Sequence, residues 1–243
     1  MAFQFLKNIF SSNSANVMTF YQLYQKMRAW NKSGTFPYEF ELPDVISFPE
    51  DFWKKVIELY KLTKSDGNER AISVFWADGE LVLSSVVRGD SRSVKPNNKI
   101  RVSYVQSKHQ GYLTKEVYVD EKKYMSKDVY HKRAPKEIEI KYLFNMHTHP
   151  PHNMQDGSTF YSFFSLQDLR SLLGSNAVIT GMIGDKLWLL FRTVKTPQLP
   201  ADFEEREISV ETLGSRLELG VYSGDFNGKL YRHKPAGMAD SQQ

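Results

Sequence analysis

The chain has 243 residues, 41% hydrophobic and 14% aromatic, which is enough apolar mass for a full core and too much for intrinsic disorder. Charged residues make up 25% and the net charge is +4, with both signs interspersed, a balance that fits a solvated surface better than a nucleic-acid groove. Cysteine is absent, so disulfides, thiolate zinc sites and cysteine nucleophiles are excluded, and any metal must be held by histidine and carboxylate.

The opening MAFQFLKNIF lacks the long apolar core and cleavage site of a secretory signal, and no run of about 18 apolar residues follows it. No transmembrane segment is therefore expected, and the absence of cysteine fits a cytoplasmic location. SSNSAN (11–16) reads as a linker. Val17, Phe20, Tyr21, Tyr24, Met27 and Trp30 recur at helical spacing, which predicts a helix at about 17–30. Gly34, Pro37 and Pro43 then keep the chain in loop or extended form, so residues 1–45 read as an N-terminal helical extension, a candidate partner-binding element.

In FPEDFWKKVIELYKLTKSDG, Pro49 suits a helix start, Glu50 and Asp51 suit the positive end of its dipole, and Gly67 suits its exit. The period then changes. Segments 71–76 and 80–89 predict a hairpin turning near Gly79, and 99–105 and 112–120 predict further strands. Residues 121–136, rich in lysine and containing Pro135, read as an exposed insertion. Segment 137–149 predicts a strand, 165–174 a helix closed by Gly174, and 177–192 a second hairpin around Gly184 and Asp185. A domain over 46–200 and a C-terminal extension and tail over 201–243 follow, with fraying expected at 235–243. The order of elements predicts an α/β fold with a mixed sheet flanked by helices.

Three of the six histidines fall within FNMHTHPPHN (144–153). His147 and His149 stand two apart at a strand end, so they point to the same side and can bind one ion. Pro150 stops the strand. Asp168, in the first turn of the next helix, is a candidate third ligand; Ser165 and Asp168 also read as a capping box. His152 follows two prolines, where strand alternation has ended, and reads as a loop residue with a fourth-ligand role as the alternative. His109, His131 and His233 lie in polar segments and are expected to be exposed.

His147-Thr148-His149-Pro150 followed by Ser165-Leu166-Gln167-Asp168 resembles the HxHP and SxxD motif of the JAMM/MPN (JAB-type) zinc metallopeptidases, and the likeness in element order covers roughly residues 48–195. The resemblance implies an MPN-like (cytidine-deaminase-like) sheet and one Zn2+ per chain on His147, His149 and Asp168. It implies Glu69 as general base, with Asp66 and Glu80 as competitors for that place, and Ser165 as oxyanion donor. It further implies hydrolysis of peptide or isopeptide bonds in a protein or peptide substrate, with a ubiquitin-like modifier or its conjugate as a candidate. The stretch between the two motif halves is longer than is usual in the family, so residues 151–164 form an insert beside the metal that could shape or cover a substrate groove. Two other readings are an inactive MPN-like scaffold or interaction module, and a phosphoesterase built on the HxH strand. A nucleic-acid partner is not expected, because Glu116, Asp120, Glu121 and Asp128 break the basic-aromatic stretch over 101–134.

Overall fold

A computed structural model describes residues 16–77, 80–96, 102–109, 112–119, 122–130, 140–153, 159–160 and 163–234. The first strand, β1 (Val17–Thr19), runs straight into helix α1 (Phe20–Ser33). Thr19 sets the junction as a capping box. Its hydroxyl accepts from the Gln22 amide, while the Gln22 side chain accepts from the Thr19 amide at 2.8 Å. The helix thus begins three residues later than its periodicity predicts, because Val17–Thr19 pair in parallel with β2 (Val45–Ser47).

Helix α2 (Glu50–Asp66) starts and stops as its sequence predicts: Glu50 and Asp51 occupy the first turn and Gly67 ends it at φ +69°, a left-handed conformation natural to glycine. Strands β3 (Arg70–Ala77) and β4 (Glu80–Leu83) form the expected antiparallel pair, although the turn residues 78 and 79 lie outside the described residues. The segment expected as one strand to residue 89 breaks, and β5 (Val87–Arg88) returns to pair with the start of β3.

Strands β6 (Val102–His109), β7 (Tyr112–Val119) and β8 (Lys122–Tyr130) make a separate three-stranded antiparallel sheet. The expected exposed insertion at 121–136 is therefore corrected over β8. The lysine-rich, mostly polar sequence of β8 carries no apolar alternation that would mark it as a strand.

The remaining elements are β9 (Ile140–Thr148), the two-residue ladder of β10 (His152–Asn153) with β11 (Thr159–Phe160), α3 (Leu166–Leu173), β12 (Ile179–Ile183), β13 (Leu187–Phe191), α4 (Val210–Ser215), β14 (Gly220–Gly224) and β15 (Lys229–His233). One ten-stranded mixed sheet runs β1-β2-β15-β14-β13-β12-β9-β3-β4, with β5 beside β3. It crosses the boundaries expected at residues 45 and 200: β1 and β2 enter it through β15, whose other neighbour is β14. The sheet curls. Phe20, next to edge strand β1, lies 5.9 Å from Trp76, whose strand β3 adjoins the opposite edge.

Strand alternation divides the core in two. Ile72, Val74, Phe144, Met146, Ile179 and Ile183 face α1 and α2, where Leu23, Met27, Phe52 and Leu59 are fully buried or nearly so. Met182, Leu190 and Val221 face α3 and α4. Each such aromatic or aliphatic burial contributes about 2 kcal/mol. His147, one residue beyond Met146, points to the α3 side.

Candidate metal centre

Strand β9 lies between β3 and β12, antiparallel to the first and parallel to the second. The register sets Ala71 and Met182 beside His147, so the histidine strand ends in the middle of the sheet rather than at an edge. The amide of His149 donates to the carbonyl of Ile183 at 3.1 Å, carrying the β9–β12 pairing just past the strand end. The two imidazoles consequently sit on one face. Their Nε2 atoms are 2.9 Å apart, and both residues are buried.

Helix α3 brings the first carboxylate. Ser165 is its N-cap, and the capping box with Asp168 is present: the Ser165 hydroxyl oxygen accepts from the Asp168 amide, and Asp168 Oδ2 accepts from the Ser165 amide at 2.7 Å. The capping and ligand readings of Asp168 are compatible. The same carboxylate puts Oδ1 3.1 Å from His147 Nε2 and Oδ2 3.5 Å from His149 Nε2.

The second carboxylate comes from the residue before β3. Glu69 is 6% exposed, and its Oε1 lies 4.0 Å from His149 Nε2. Its backbone is tied to the far side by Glu69 N–H donating to Asp90 O at 2.7 Å and Gly89 N–H donating to Glu69 O at 2.9 Å. The competitors stand elsewhere. Asp66 is engaged by Arg70 and Arg88 at 2.6 Å and 3.1 Å. Glu80 pairs with Ala77 at the opposite end of β3 from the site.

Glu69, His147 and His149 form a group whose ligand atoms all lie within 4.8 Å of one another and which could hold a metal ion. Imidazole and carboxylate are both metal-ligating groups, so the donor set fits a cation. His149 Nδ1–H donates to the Phe163 carbonyl at 2.8 Å, which orients the ring and leaves its Nε2 lone pair for the cluster. Sequence reading missed Phe163, because a backbone carbonyl leaves no mark on residue type.

The electrostatics suit a cation. Burial raises the Glu69 carboxyl to about 7; the negative charges of Asp168 and Asp90 add to the rise and His147 opposes it. Burial disfavours the His147 imidazolium, but the Asp168 hydrogen bond and the charges of Asp168 and Glu69 outweigh it and raise its pKa. Burial also works against ionised Asp168, yet His147, His149 and the Ser165 amide hold its pKa well below the carboxylate range.

Two cavities of about 390 Å³ each flank the centre and share Glu69, Arg92, His149 and Ser165. One is polar, with Lys95, Asn145 and Gln167 in its wall; the other presents Pro150, Phe163, Phe164 and Ile208. A larger cavity of about 530 Å³ is lined mainly by rings, among them Phe20, Phe48 and Trp76, and by none of the Glu69–His147–His149 group. His152 lies in β10, its side chain outside the described residues, as are insert residues 154–158 and 161–162. His131 and the 235–243 tail also lie outside them. His233 is corrected: it is half-buried, stacked on Trp188 with centroids 5.5 Å apart and hydrogen-bonded with Ser223 Oγ at 2.7 Å.

Comparison with family models, with curated proteins and with solved structures finds no match to this chain. No described helix is long and apolar enough to cross a membrane.

Proposed function

We propose that this chain is a zinc-dependent metallopeptidase of the JAMM/MPN type, hydrolysing peptide or isopeptide bonds in a protein substrate, with a ubiquitin-like modifier or its conjugate as candidate. The observation that carries this reading is the meeting of Glu69, His147, His149 and Asp168, from three separate stretches of sequence, in one buried cluster between two cavities.

On this reading the third ligand beside His147 and His149 would be Asp168, whose oxygens lie 3.1 and 3.5 Å from the two imidazoles, and not Glu69, the carboxylate of the group that could hold a metal ion. When bound, zinc supplies Lewis acidity that acidifies water and polarises a carbonyl oxygen. Glu69 Oε1 takes one proton from the attacking water and delivers it to the leaving amine nitrogen as the carbon–oxygen bond forms and the carbon–nitrogen bond breaks. A carboxyl group raised to about 7 is poised for that exchange near neutral pH, and a dication beside it would draw the value down. The Ser165 hydroxyl donates to Asp168 Oδ2 at 2.8 Å. To serve a developing oxyanion it must rotate away, which a serine side chain does readily. Phe163 keeps the His149 tautomer fixed throughout.

The test is metal content and turnover in wild type, His149→Ala, Asp168→Ala and Glu69→Gln. Wild type should carry about one zinc per chain, and both ligand variants should lose it. Glu69→Gln should retain zinc while hydrolysis of peptide and isopeptide substrates falls ~10²- to 10⁴-fold. A wild type that holds no zinc after loading and dialysis would overturn the metallopeptidase and leave the scaffold.

A further inference from the structure

The backbone ladder between β3 and β9 ends at the pair Ala71 and His147. Glu69 and His149 lie beyond that pair, where regular strand hydrogen bonds no longer hold one against the other. In their place stands one side chain. Thr148, between the two histidines, points to the opposite face of the sheet and is fully buried. Its Oγ1 accepts from the Arg70 amide at 2.8 Å. That amide belongs to the peptide unit joining Glu69 to Arg70.

The hydroxyl is itself held from behind. Thr148 Oγ1 and Thr63 Oγ1 are 2.6 Å apart in a buried hydrogen bond, which ties β9 to α2. The Arg70 guanidinium closes the frame, donating to Thr63 Oγ1 at 3.3 Å, to the Asn68 carbonyl at 2.9 Å and to both oxygens of Asp66 at 2.9 and 2.6 Å. Three chain segments thus lock together behind the centre: the last turn of α2, the residue pair that opens β3, and the end of β9. A buried network of this kind is stiff because each missing partner leaves a polar group unsatisfied in an apolar surrounding.

We infer that Thr148 is a positioning residue, whose hydroxyl sets the place of the Glu69 carboxylate against the two histidines from the far face of the sheet, with Thr63 and Arg70 as its supports. It touches neither the ligand atoms nor either cavity wall, so it acts through the Glu69–Arg70 peptide unit. The inference rests on the metallopeptidase reading for its effect on rate, but not for its effect on geometry.

The test compares Thr148→Val, which keeps the shape and removes the hydroxyl, with Thr148→Ser, which keeps the hydroxyl, and with Thr63→Val. Zinc content should be unchanged in all three, because His147, His149 and Asp168 remain. In a crystal structure of Thr148→Val the Glu69–His149 separation, 4.0 Å in wild type, should open by about 1 Å or more, a displacement that costs roughly 10²-fold in kcat at little changed KM. Amide exchange at Arg70 should accelerate in Thr148→Val and return to the wild-type rate in Thr148→Ser. Thr63→Val should fall between them, and it stands in if Thr148→Val does not fold. A Thr148→Val protein that melts earlier but keeps the 4.0 Å separation and the Arg70 protection would overturn the inference, as would a Thr148→Ser as impaired as Thr148→Val. If wild type holds zinc but hydrolyses nothing, the peptidase reading fails, and the separation and the Arg70 exchange alone decide the role of Thr148.

Discussion

At the scale of single residues, the buried cluster holds on to protons that exposed groups of the same kind would release. The unfolded chain releases the Glu69 proton near 4.5, whereas the folded chain keeps it to about 7. Its stabilising effect is complete below about pH 4.5 and is lost as pH rises through about 7, a change on the order of 3 kcal/mol. His147, also raised, acts in the same sense; Asp168, lowered, contributes above its ordinary value of 3.8 and loses that contribution as the pH falls below it. Urea unfolding of metal-free protein should therefore show lower stability at about pH 8 than at about pH 5, with a flatter profile in Glu69→Gln. Equal profiles would mean that Glu69 is not buried in solution. Most of this centre was legible in the sequence. Spacing alone joined His147 to His149, and Asp168 was a candidate from its place in the next helix's first turn, where the capping box competed with the ligand reading. Glu69 was legible only through the family resemblance, since an acid before a strand is unremarkable. Phe163, Thr148 and Thr63 left no signal, because a carbonyl and two buried hydroxyls act by where the fold puts them.

Elements decide how tightly that cluster is held. Gly181 on β12 shows the margin: a Cβ there would lie 2.7 Å from Met146 Cβ and 2.8 Å from Leu189 Cδ2. Met146 precedes His147, so crowding at Gly181 bears directly on the histidine strand. Gly181→Ala should cost about 1–3 kcal/mol in stability and, on the proposed metallopeptidase reading, loosen zinc binding, read from melting curves and chelator competition. Wild-type zinc affinity in that variant would mean the strand end is decoupled from its neighbour. The helices α2 and α3 were readable because their caps and periodicity agree. β8 and the split between β4 and β5 were not, since a lysine-rich strand and a two-residue strand carry little pattern above noise.

For the whole molecule, the boundary expected at residue 200 separates strands that share one sheet. Proline and glycine punctuation marks loops, and it does not reveal that β14 and β15 return to lie between β13 and β2. A chain ending at residue 200 removes Tyr222, Val221 and Leu230 from the core and leaves β1 and β2 without their link to the sheet. It should show no cooperative melting transition by circular dichroism; a sharp transition would mean that β3, β9, β12 and β13 suffice. The same topology bears on biosynthesis. The β2 strand emerges from the ribosome early, yet its partner β15 is translated on the order of 10 s later. Until then the nascent chain carries β2 with the edge that β15 will cover unpaired, a span during which a chaperone or a premature neighbour has something to grip. Strands β3, β9 and β12 and helix α3, which position Glu69, His147, His149 and Asp168, are translated before β15, so this cluster can assemble before the first strand of the sheet has found its place.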